Sequence, residues 1–230
     1  MIGRAYRKVR RMLAARRPRF DATGERVDIL FNEKIDFETL DMFQKSHYKR
    51  YEYAIEVIRA GDICGDFACG TGYGSVMLSQ KAGGVIGADI NAAVVKAIQK
   101  RYQNKKNVQF MVADLLSLLF HAEFDNIISF ETIEHFTEEN ILKLLPVFAE
   151  ALKSDGKLII STPYRQERDE AALKLGHHLT FYIDEKMVTG WLSAAGLDVL
   201  SFKYQNYATH HIQDELDQKD FMICVAQKRR

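Results

Sequence analysis

Along most of the chain, short runs of apolar residues alternate with stretches in which apolar residues recur every three or four positions. The short runs are typical of buried strands, and the second pattern is typical of helices that bury one face. Strands are predicted at 63–68, 84–90, 108–114, 124–130, 157–163, 199–205 and 221–228. Helices are predicted at 47–59, 72–82, 92–102, 138–153 and 184–196.

The order of these elements predicts how the sheet is built. Strands that alternate with helices form crossover units, which give a mostly parallel sheet covered on both faces. The last two strands are joined by residues 206–220, which show no helical pattern, and strands joined without a crossover helix pair antiparallel. We therefore predict an α/β fold with a doubly wound, Rossmann-like sheet of seven strands, mostly parallel, that ends in an antiparallel C-terminal hairpin.

The composition fits a globular domain of this kind. The 230 residues are 47% apolar and 27% charged, which is ordinary usage for such a domain. No run approaches the roughly 18 apolar residues of a membrane-spanning helix. The three cysteines form no Cys-x-x-Cys pair, which argues against structural zinc and is consistent with a reducing compartment, so a cytoplasmic location is expected.

Charge is distributed unevenly along the chain. Residues 1–20 contain eight Lys and Arg and no acid, which leaves 24 cations against 31 acids, a net charge of −7, in residues 21–230. Nucleic acid binding requires clustered cations, so the acidic main domain makes a nucleic-acid partner unexpected.

The basic head, residues 1–20, has a pattern of its own. Ile2, Tyr6, Val9 and Leu13 are spaced as an apolar stripe along a cationic helix. This pattern is typical of a helix on an anionic membrane, so the protein is expected to lie peripherally at the inner membrane face. A solvated terminus is the alternative interpretation. We predict two parts: a basic amphipathic helix at 1–20 and one domain at 21–230.

Polar residues stand at the ends of four consecutive predicted strands. The first strand runs through Asp66 into a glycine-rich turn, and the second and third end in Asp89 and Asp114. The fourth runs into FETIEHF, residues 130–136. Ligands of open α/β sheets bind at these strand ends, and an acid about 20 residues after the first turn commonly binds ribose hydroxyls. The glycines alone would also fit a tight turn without a ligand, but the four polar ends together favour a nucleoside-type cofactor.

The glycine-rich turn differs from a dinucleotide-binding turn. After Gly70 and Gly72, the third glycine comes one position too early for the G-x-G-x-x-G spacing. Asp66 would also repel a pyrophosphate. A carboxylate at this place suits a cationic group instead, such as the amino group of a methionine moiety.

DFACGTG, residues 66–72, resembles the acid-x-Gly-x-Gly-x-Gly loop of class I S-adenosylmethionine-dependent methyltransferases, with Ala68 in place of the first glycine. The resemblance covers about residues 46–228 and implies methyl transfer with S-adenosylmethionine as cofactor. It implies that Asp89 binds the ribose and that Asp114 meets the adenine amino group. The implied cofactor-binding residues are Arg50, Tyr51, Asp66, Ala68, Gly70, Gly72, Tyr73, Asp89, Ile90, Asp114, Leu115 and Phe130.

Candidate catalytic residues follow the fourth and fifth strands. His135 lies near the expected position of the methyl group, where an imidazole can accept a proton near neutral pH; a packing role is the alternative. Glu134 can orient that ring or bind an acceptor hydroxyl. His177 and His178 belong to an insertion at about 163–183, where this family builds its acceptor site. No acid follows the two histidines at helical ligand spacing, so no metal is expected.

The segments HYKRYEYA, ACGTGYGS, ISFETIEHF and LIISTP together resemble a branch of the family associated with bacterial surface-polysaccharide and lipopolysaccharide assembly. That branch has a His-x-x-Arg-Tyr motif, here His47, Arg50 and Tyr51, which would close over cofactor and acceptor. The resemblance implies O-methylation of a sugar of a surface glycan, such as the O-antigen, or of its precursor. LGHH at 175–178 stands where the branch has Asn-Pro-Phe-His, which leaves the acceptor open. The alternatives are a lipid quinone or other small-molecule acceptor, and a non-catalytic module that binds S-adenosylmethionine.

Overall fold

A computed structural model describes residues 27–29, 35–170 and 178–229. The strands are β1 (Ile63–Phe67), β2 (Gly84–Asp89), β3 (Val108–Val112), β4 (Phe124–Phe130), β5 (Leu152–Pro163), β6 (Leu197–Gln205), β7 (Ile212–Gln213) and β8 (Phe221–Lys228). The α-helices are α1 (Met42–Val57), α2 (Tyr73–Leu78), α3 (Ala92–Arg101), α4 (Glu138–Ala151) and α5 (Glu185–Ala194). Short 3-10 helices lie at Phe37–Thr39, Leu115–Ser117 and Ile133–His135. The basic head lies outside the described residues.

The strands form one sheet in the order β3-β2-β1-β4-β5-β8-β6-β7. The first five strands pair in parallel, and β8 pairs antiparallel with both β5 and β6. The predicted fold class is therefore confirmed. The eighth strand is the short β7, which lies in the connection between β6 and β8 and pairs with the end of β6.

Two element boundaries differ from the prediction for local reasons. Helix α1 begins at Met42 because Asp41 caps it: the Asp41 carboxylate accepts from the backbone N–H of Gln44, and the Gln44 side chain accepts from the backbone N–H of Asp41. Strand β5 begins at Leu152, directly after α4, and a residue at positive φ, Asp155, turns the chain within it.

Helices cover both faces of the sheet, and each face has its own apolar core. One core contains Phe67, Phe148 and Trp191, and the other contains Tyr51 and Ile98. The parallel strands β1 to β4 point their carboxyl ends to one edge, which is where the functional site lies. In the described part of the chain, no helix combines the length and the apolar composition needed to cross a membrane.

Candidate functional site

A cavity of about 1060 Å³ opens at the carboxyl ends of the parallel strands. Most of the residues predicted as cofactor-binding or catalytic line it: Arg50, Tyr51, Ala68, Gly70, Tyr73, Asp89, Ile90, Asp114, Leu115, Phe130, Glu134, His135 and His178. His47, the first residue of the His-x-x-Arg-Tyr motif, lines it as well. Asp66 and Gly72 are not in this lining, and His177 lies outside the described residues.

The glycine-rich turn between β1 and α2 has a left-handed backbone at three alternate positions. Ala68, Gly70 and Gly72 have φ of 62°, 52° and 76°. A side chain at Gly70 would enter open space, so the left-handed backbone is what favours glycine there. Alanine tolerates this region at a cost of about 1–2 kcal/mol. Ala68 therefore keeps the shape of the turn at some cost in stability.

Asp66 is buried behind the cavity wall and holds one of the wall residues. The Tyr51 hydroxyl donates to its carboxylate at 3.0 Å, and the Ser75 hydroxyl donates at 2.6 Å. Burial raises the pKa of Asp66 to about 6, although the hydrogen bonds from Ser75 and Tyr51 oppose the shift. The sequence predicts Asp66 at the ligand itself; in the structure Asp66 is not among the residues that line the cavity, but it bonds to Tyr51, which is.

Asp89 joins the glycine-rich turn to the end of β2. One carboxylate oxygen accepts from the backbone N–H of Gly70 at 3.0 Å, and the other accepts from that of Asn91 at 2.8 Å. The next residue, Ile90, is 68% exposed beside the cavity. Asp114, at the third strand end, accepts from the backbone N–H of Leu116 at 3.0 Å. An acid and an exposed apolar surface are thus adjacent, as a nucleoside requires.

Arg50 is completely buried, and no sequence pattern predicts its partner. Its Nη1 donates to Glu131 at 3.2 Å, and its guanidinium lies 4.3 Å from the ring centre of Phe221. Among the described residues, Nε and Nη2 of Arg50 have no hydrogen-bond partner. Two unsatisfied buried donors at a cavity wall fit an anionic ligand group, such as a carboxylate.

The segment after β4 contributes two acids, Glu131 and Glu134, to the cavity lining. Glu131 has a φ of 49° and accepts from the Ser161 hydroxyl at 2.8 Å. Glu134 is 1% exposed, and its Oε2 accepts from the Thr162 hydroxyl at 3.1 Å. Burial, and next the charge of Glu131, raise the pKa of Glu134 well above its usual range.

Backbone hydrogen bonds bring His178 to His135. The carbonyl oxygen of Glu134 accepts from the N–H groups of Leu179 at 2.7 Å and Thr180 at 3.1 Å. The rings of His135 and His178 are 5.0 Å apart at an interplanar angle of 74°. Each of these residues was predicted from the sequence as a candidate. Their proximity depends on the path of the insertion, which no sequence pattern indicates.

Residues 65–156 match the family model described as a methyltransferase domain. The matched segment contains the glycine-rich turn, the acids at the ends of β2 and β3, and the segment after β4. Over these residues the chain carries a methyltransferase domain, similar to those of class I S-adenosylmethionine-dependent enzymes. This confirms the predicted domain class, and the cofactor that it implies is S-adenosylmethionine.

Known relatives of the methyltransferase domain agree with this assignment. Two proteins of Mycobacterium tuberculosis, each named "probable S-adenosylmethionine-dependent methyltransferase", are 28% identical over 131 residues, which is 56% of this chain and 46% of theirs. The chain therefore spans about half the length of these curated relatives.

Solved structures share the fold of the methyltransferase domain. YcgJ of Bacillus subtilis has a TM-score of 0.63 and 20% identity, and the match covers 80% of this chain and 100% of that one. The cyclase SpnF has a TM-score of 0.63 and 15% identity, with 81% of each chain covered. Because one of these proteins is named a cyclase, the fold alone does not determine the reaction.

Proposed function

We propose that this protein transfers the methyl group of S-adenosylmethionine to a sugar hydroxyl, in a bacterial surface glycan such as a lipopolysaccharide O-antigen or in its precursor. One observation carries the proposal: a single cavity is lined both by the predicted cofactor residues and by the polar group of Glu134, His135 and His178. Cofactor and acceptor can therefore meet in one cavity.

The residues of the cavity fit the parts of the cofactor. The unpartnered donors of Arg50 suit the carboxylate of the methionine moiety, and Tyr51, held by Asp66, closes the same end. Asp89 suits the ribose hydroxyls, and the exposed Ile90 suits the adenine ring. The backbone of Ala68, Gly70, Gly72, Tyr73 and Phe130, with Asp114 and Leu115, completes the proposed cofactor set.

The bound cofactor supplies an electrophilic methyl group on a positively charged sulfur. In the proposed reaction the acceptor oxygen bonds to the methyl carbon while the carbon–sulfur bond breaks, and the hydroxyl proton passes to a group of the protein or to water. Glu134 and His135 are the groups placed to bind the hydroxyl and receive its proton, with His178 beside them. General-base assistance of this kind contributes roughly 10²–10⁴-fold in rate.

Several further residues of the cavity favour a sugar over a lipid quinone. Gln166, Lys219 and Asp220 offer hydrogen-bonding groups, and Tyr164 and Tyr207 offer aromatic surfaces. A polyhydroxylated ring uses both, whereas a quinone with a long apolar tail requires a continuous apolar channel. A lipid quinone is the alternative acceptor.

We further propose that the basic head, residues 1–20, holds the protein against an anionic membrane at the inner face. The support is its excess of cations and its apolar stripe. A sugar acceptor carried on a membrane lipid would then be presented close to the cavity.

The test is the transfer of radiolabelled methyl from S-adenosylmethionine to cell material separated into glycan, neutral lipid, protein and RNA. We expect label in the glycan fraction. Asp89→Ala should abolish it, and Asp198→Ala, which removes an exposed acid on β6, should not.

Arg50→Lys should weaken cofactor binding by about 10–100-fold, because a hydrogen bond to a charged group contributes about 1.5–3 kcal/mol.

The destination of the label decides between the candidate functions. Label in neutral lipid would replace the sugar with a quinone-type acceptor. Label in no fraction, combined with normal cofactor binding, would leave a module that binds S-adenosylmethionine without catalysing transfer.

A further inference from the structure

We propose that Glu134, His135 and His178 form a binding site for a divalent transition-metal ion at the acceptor end of the cavity. These residues, named here the Glu-His-His cluster, each offer one ligand atom, and the three atoms lie within 4.8 Å of one another. The sequence pattern did not predict a metal site, because no acid follows the two histidines of the insertion at helical ligand spacing. The carboxylate comes instead from the segment after β4.

The backbone fixes the two parts of the cluster to each other. The residues after His178 donate two backbone hydrogen bonds to the carbonyl oxygen of Glu134, at 2.7 and 3.1 Å. The Thr180 hydroxyl also donates to the carbonyl oxygen of Phe136 at 2.6 Å. The cluster is therefore mounted on two segments that are bonded together, which lowers the cost of holding three ligands in place.

One carboxylate oxygen of Glu134 is buried without a hydrogen-bond partner, and a cation would satisfy it. Its Oε2 accepts from Thr162, while Oε1, buried within a residue that is 1% exposed, has no hydrogen-bond partner among the described residues. A buried carboxylate oxygen without a partner is costly. The buried guanidinium of Arg50 donates to Glu131 and not to Glu134. A cation among the three ligand atoms would satisfy Oε1.

His178 already has the kind of outer contact that orients metal-binding histidines. Its Nδ1 lies 2.6 Å from Oε1 of Gln166. An amide oxygen only accepts, so Nδ1 carries the proton and Nε2 offers a lone pair. A hydrogen bond from the second ring nitrogen to a carbonyl or carboxylate is the usual support of a histidine ligand.

The ligand set indicates which divalent ions the proposed site prefers. Two imidazoles and one carboxylate favour Zn²⁺, Fe²⁺, Co²⁺ or Mn²⁺ over Mg²⁺, which prefers oxygen ligands alone. Ligands of such an ion lie about 2.0–2.2 Å from it, so two of them at the tetrahedral angle are about 3.3–3.6 Å apart. The ligand atoms of the cluster therefore have to close by up to about 1.5 Å, a movement within the reach of side-chain rotation.

Three protein ligands leave coordination positions for a further oxygen. This inference deepens the proposed function and rests on it for the purpose of the ion: an acceptor hydroxyl bound to a divalent cation loses its proton more easily and becomes a better nucleophile. Glu134, His135 and His178 would then act as ligands, and the proton would leave to water.

The test measures metal binding by the full chain, without any methyl acceptor. Protein freed of metal with a chelator is titrated with Co²⁺, and the visible absorption of the bound ion and the equilibrium stoichiometry are recorded. We expect one Co²⁺ per chain, displaced by Zn²⁺. His135→Ala, His178→Ala and Glu134→Gln should each weaken binding by more than about 100-fold, and Gln166→Leu, which removes only the outer contact, by about 10–100-fold.

His121→Ala is the matched control. His121 is an exposed histidine that also faces a carboxylate, that of Glu150, and it lies outside the cavity. Its replacement should leave Co²⁺ binding unchanged. Melting temperatures of all variants identify any loss of affinity that comes from unfolding, and Glu134→Gln keeps the shape of the buried side chain.

The outcomes separate this inference from the proposed function. Absence of saturable Co²⁺ binding, or equal binding by His178→Ala and His121→Ala, overturns the metal site even if methyl transfer to sugar is observed. Stoichiometric binding that depends on the cluster supports the site even if no acceptor is methylated. Methyl transfer that a chelator abolishes and Zn²⁺ or Mn²⁺ restores would support both.

Discussion

At the scale of single residues, Asp66 shows how a buried acid acts on a site that it does not touch. Its carboxylate accepts from Tyr51, and Tyr51 lines the cavity. An ionised carboxylate at this depth has lost its hydration, and two hydroxyl donors only partly replace it. The position of Tyr51 is therefore linked to the protonation state of Asp66.

This linkage makes the stability depend on pH. The pKa of Asp66 is about 6 in the folded protein and 3.8 when unperturbed, so the folded state holds the proton more tightly. Its stabilising contribution is complete below about pH 4 and is lost as the pH rises to about 6. Asp66→Asn cannot ionise and should exceed the wild type in free energy of unfolding above pH 6, by at most about 3 kcal/mol.

Urea unfolding of both proteins between about pH 4 and pH 8 measures this difference. The wild type should lose stability relative to Asp66→Asn only within the interval between the two pKa values. A difference that stays constant over the whole range would show that Asp66 has no raised pKa.

The sequence identified single residues well where position along a strand determines their place. Asp89 and Asp114 end strands of a parallel sheet, so their location at the cavity edge follows from the topology. Arg50 and Glu131 are different, because 81 positions separate the partners and no local pattern connects them. The contact arises only when α1 packs across the end of β4.

At the scale of elements, α1 can pack closely against α2 because position 74 of α2 is a glycine, which has no side chain. An added Cβ at Gly74, in the first turn of α2, would lie 2.0 to 2.5 Å from three ring atoms of Tyr51 on α1. Gly74 has no positive φ, so close approach, and not backbone freedom, explains this glycine. The two helices meet where the cavity wall is formed.

Gly74→Ala should therefore destabilise the protein by about 1–3 kcal/mol, as other overpacked sites do, and should displace Tyr51 from Asp66. The same change at Gly190, inside α5, is the control, because no atom lies within 4 Å of an added Cβ there. Gly190→Ala should stabilise by about 0.5–1 kcal/mol.

Urea unfolding and the near-ultraviolet circular dichroism of tyrosine report both effects. Opposite signs of the change in the free energy of unfolding are expected for the two variants. Equal changes would mean that the contact between Gly74 and Tyr51 does not limit the packing of the helices.

Element identity was predictable from apolar spacing, whereas some element limits were not. The sequence extended the helix at 138–153 through Leu152 and Lys153, which in the structure begin β5. Leu152 is buried in the strand and would also be buried in the helix, so its apolar character does not distinguish the two. The short β7 has no pattern at all and forms because it lies beside the end of β6.

At the scale of the whole molecule, charge is separated between the basic head and an acidic remainder. Deleting residues 1–19 should abolish binding to vesicles that contain anionic lipid, since each cation near such a surface contributes about 1 kcal/mol. Sedimentation with anionic and with neutral vesicles, at low and high salt, measures this.

A variant with Val9→Ser and Leu13→Ser separates charge from the apolar stripe, because it keeps all eight cations. It should bind anionic vesicles more weakly than the full chain and more strongly than the truncated one. Unchanged binding by the truncated protein would refute the membrane role of the basic head.

The sequence predicted a C-terminal hairpin, and the hairpin is present, but its position in the sheet required the structure. A hairpin of β6 and β8 can join β5 through either strand. The structure has β8 next to β5 and β6 beyond it. The antiparallel register of β8 with β5 runs from Lys157 to Pro163.

That order of strands has a consequence for how the protein is made. Synthesis delivers β6 before β8, yet β6 reaches the rest of the sheet only through β8. Until residues 221–228 have emerged from the ribosome, β5 and β6 each expose an edge without a partner, and exposed edges promote pairing between chains. The nascent protein therefore passes through a stage in which the part up to β5 can be folded while its sheet is still open, and this is the stage at which a chaperone would matter most.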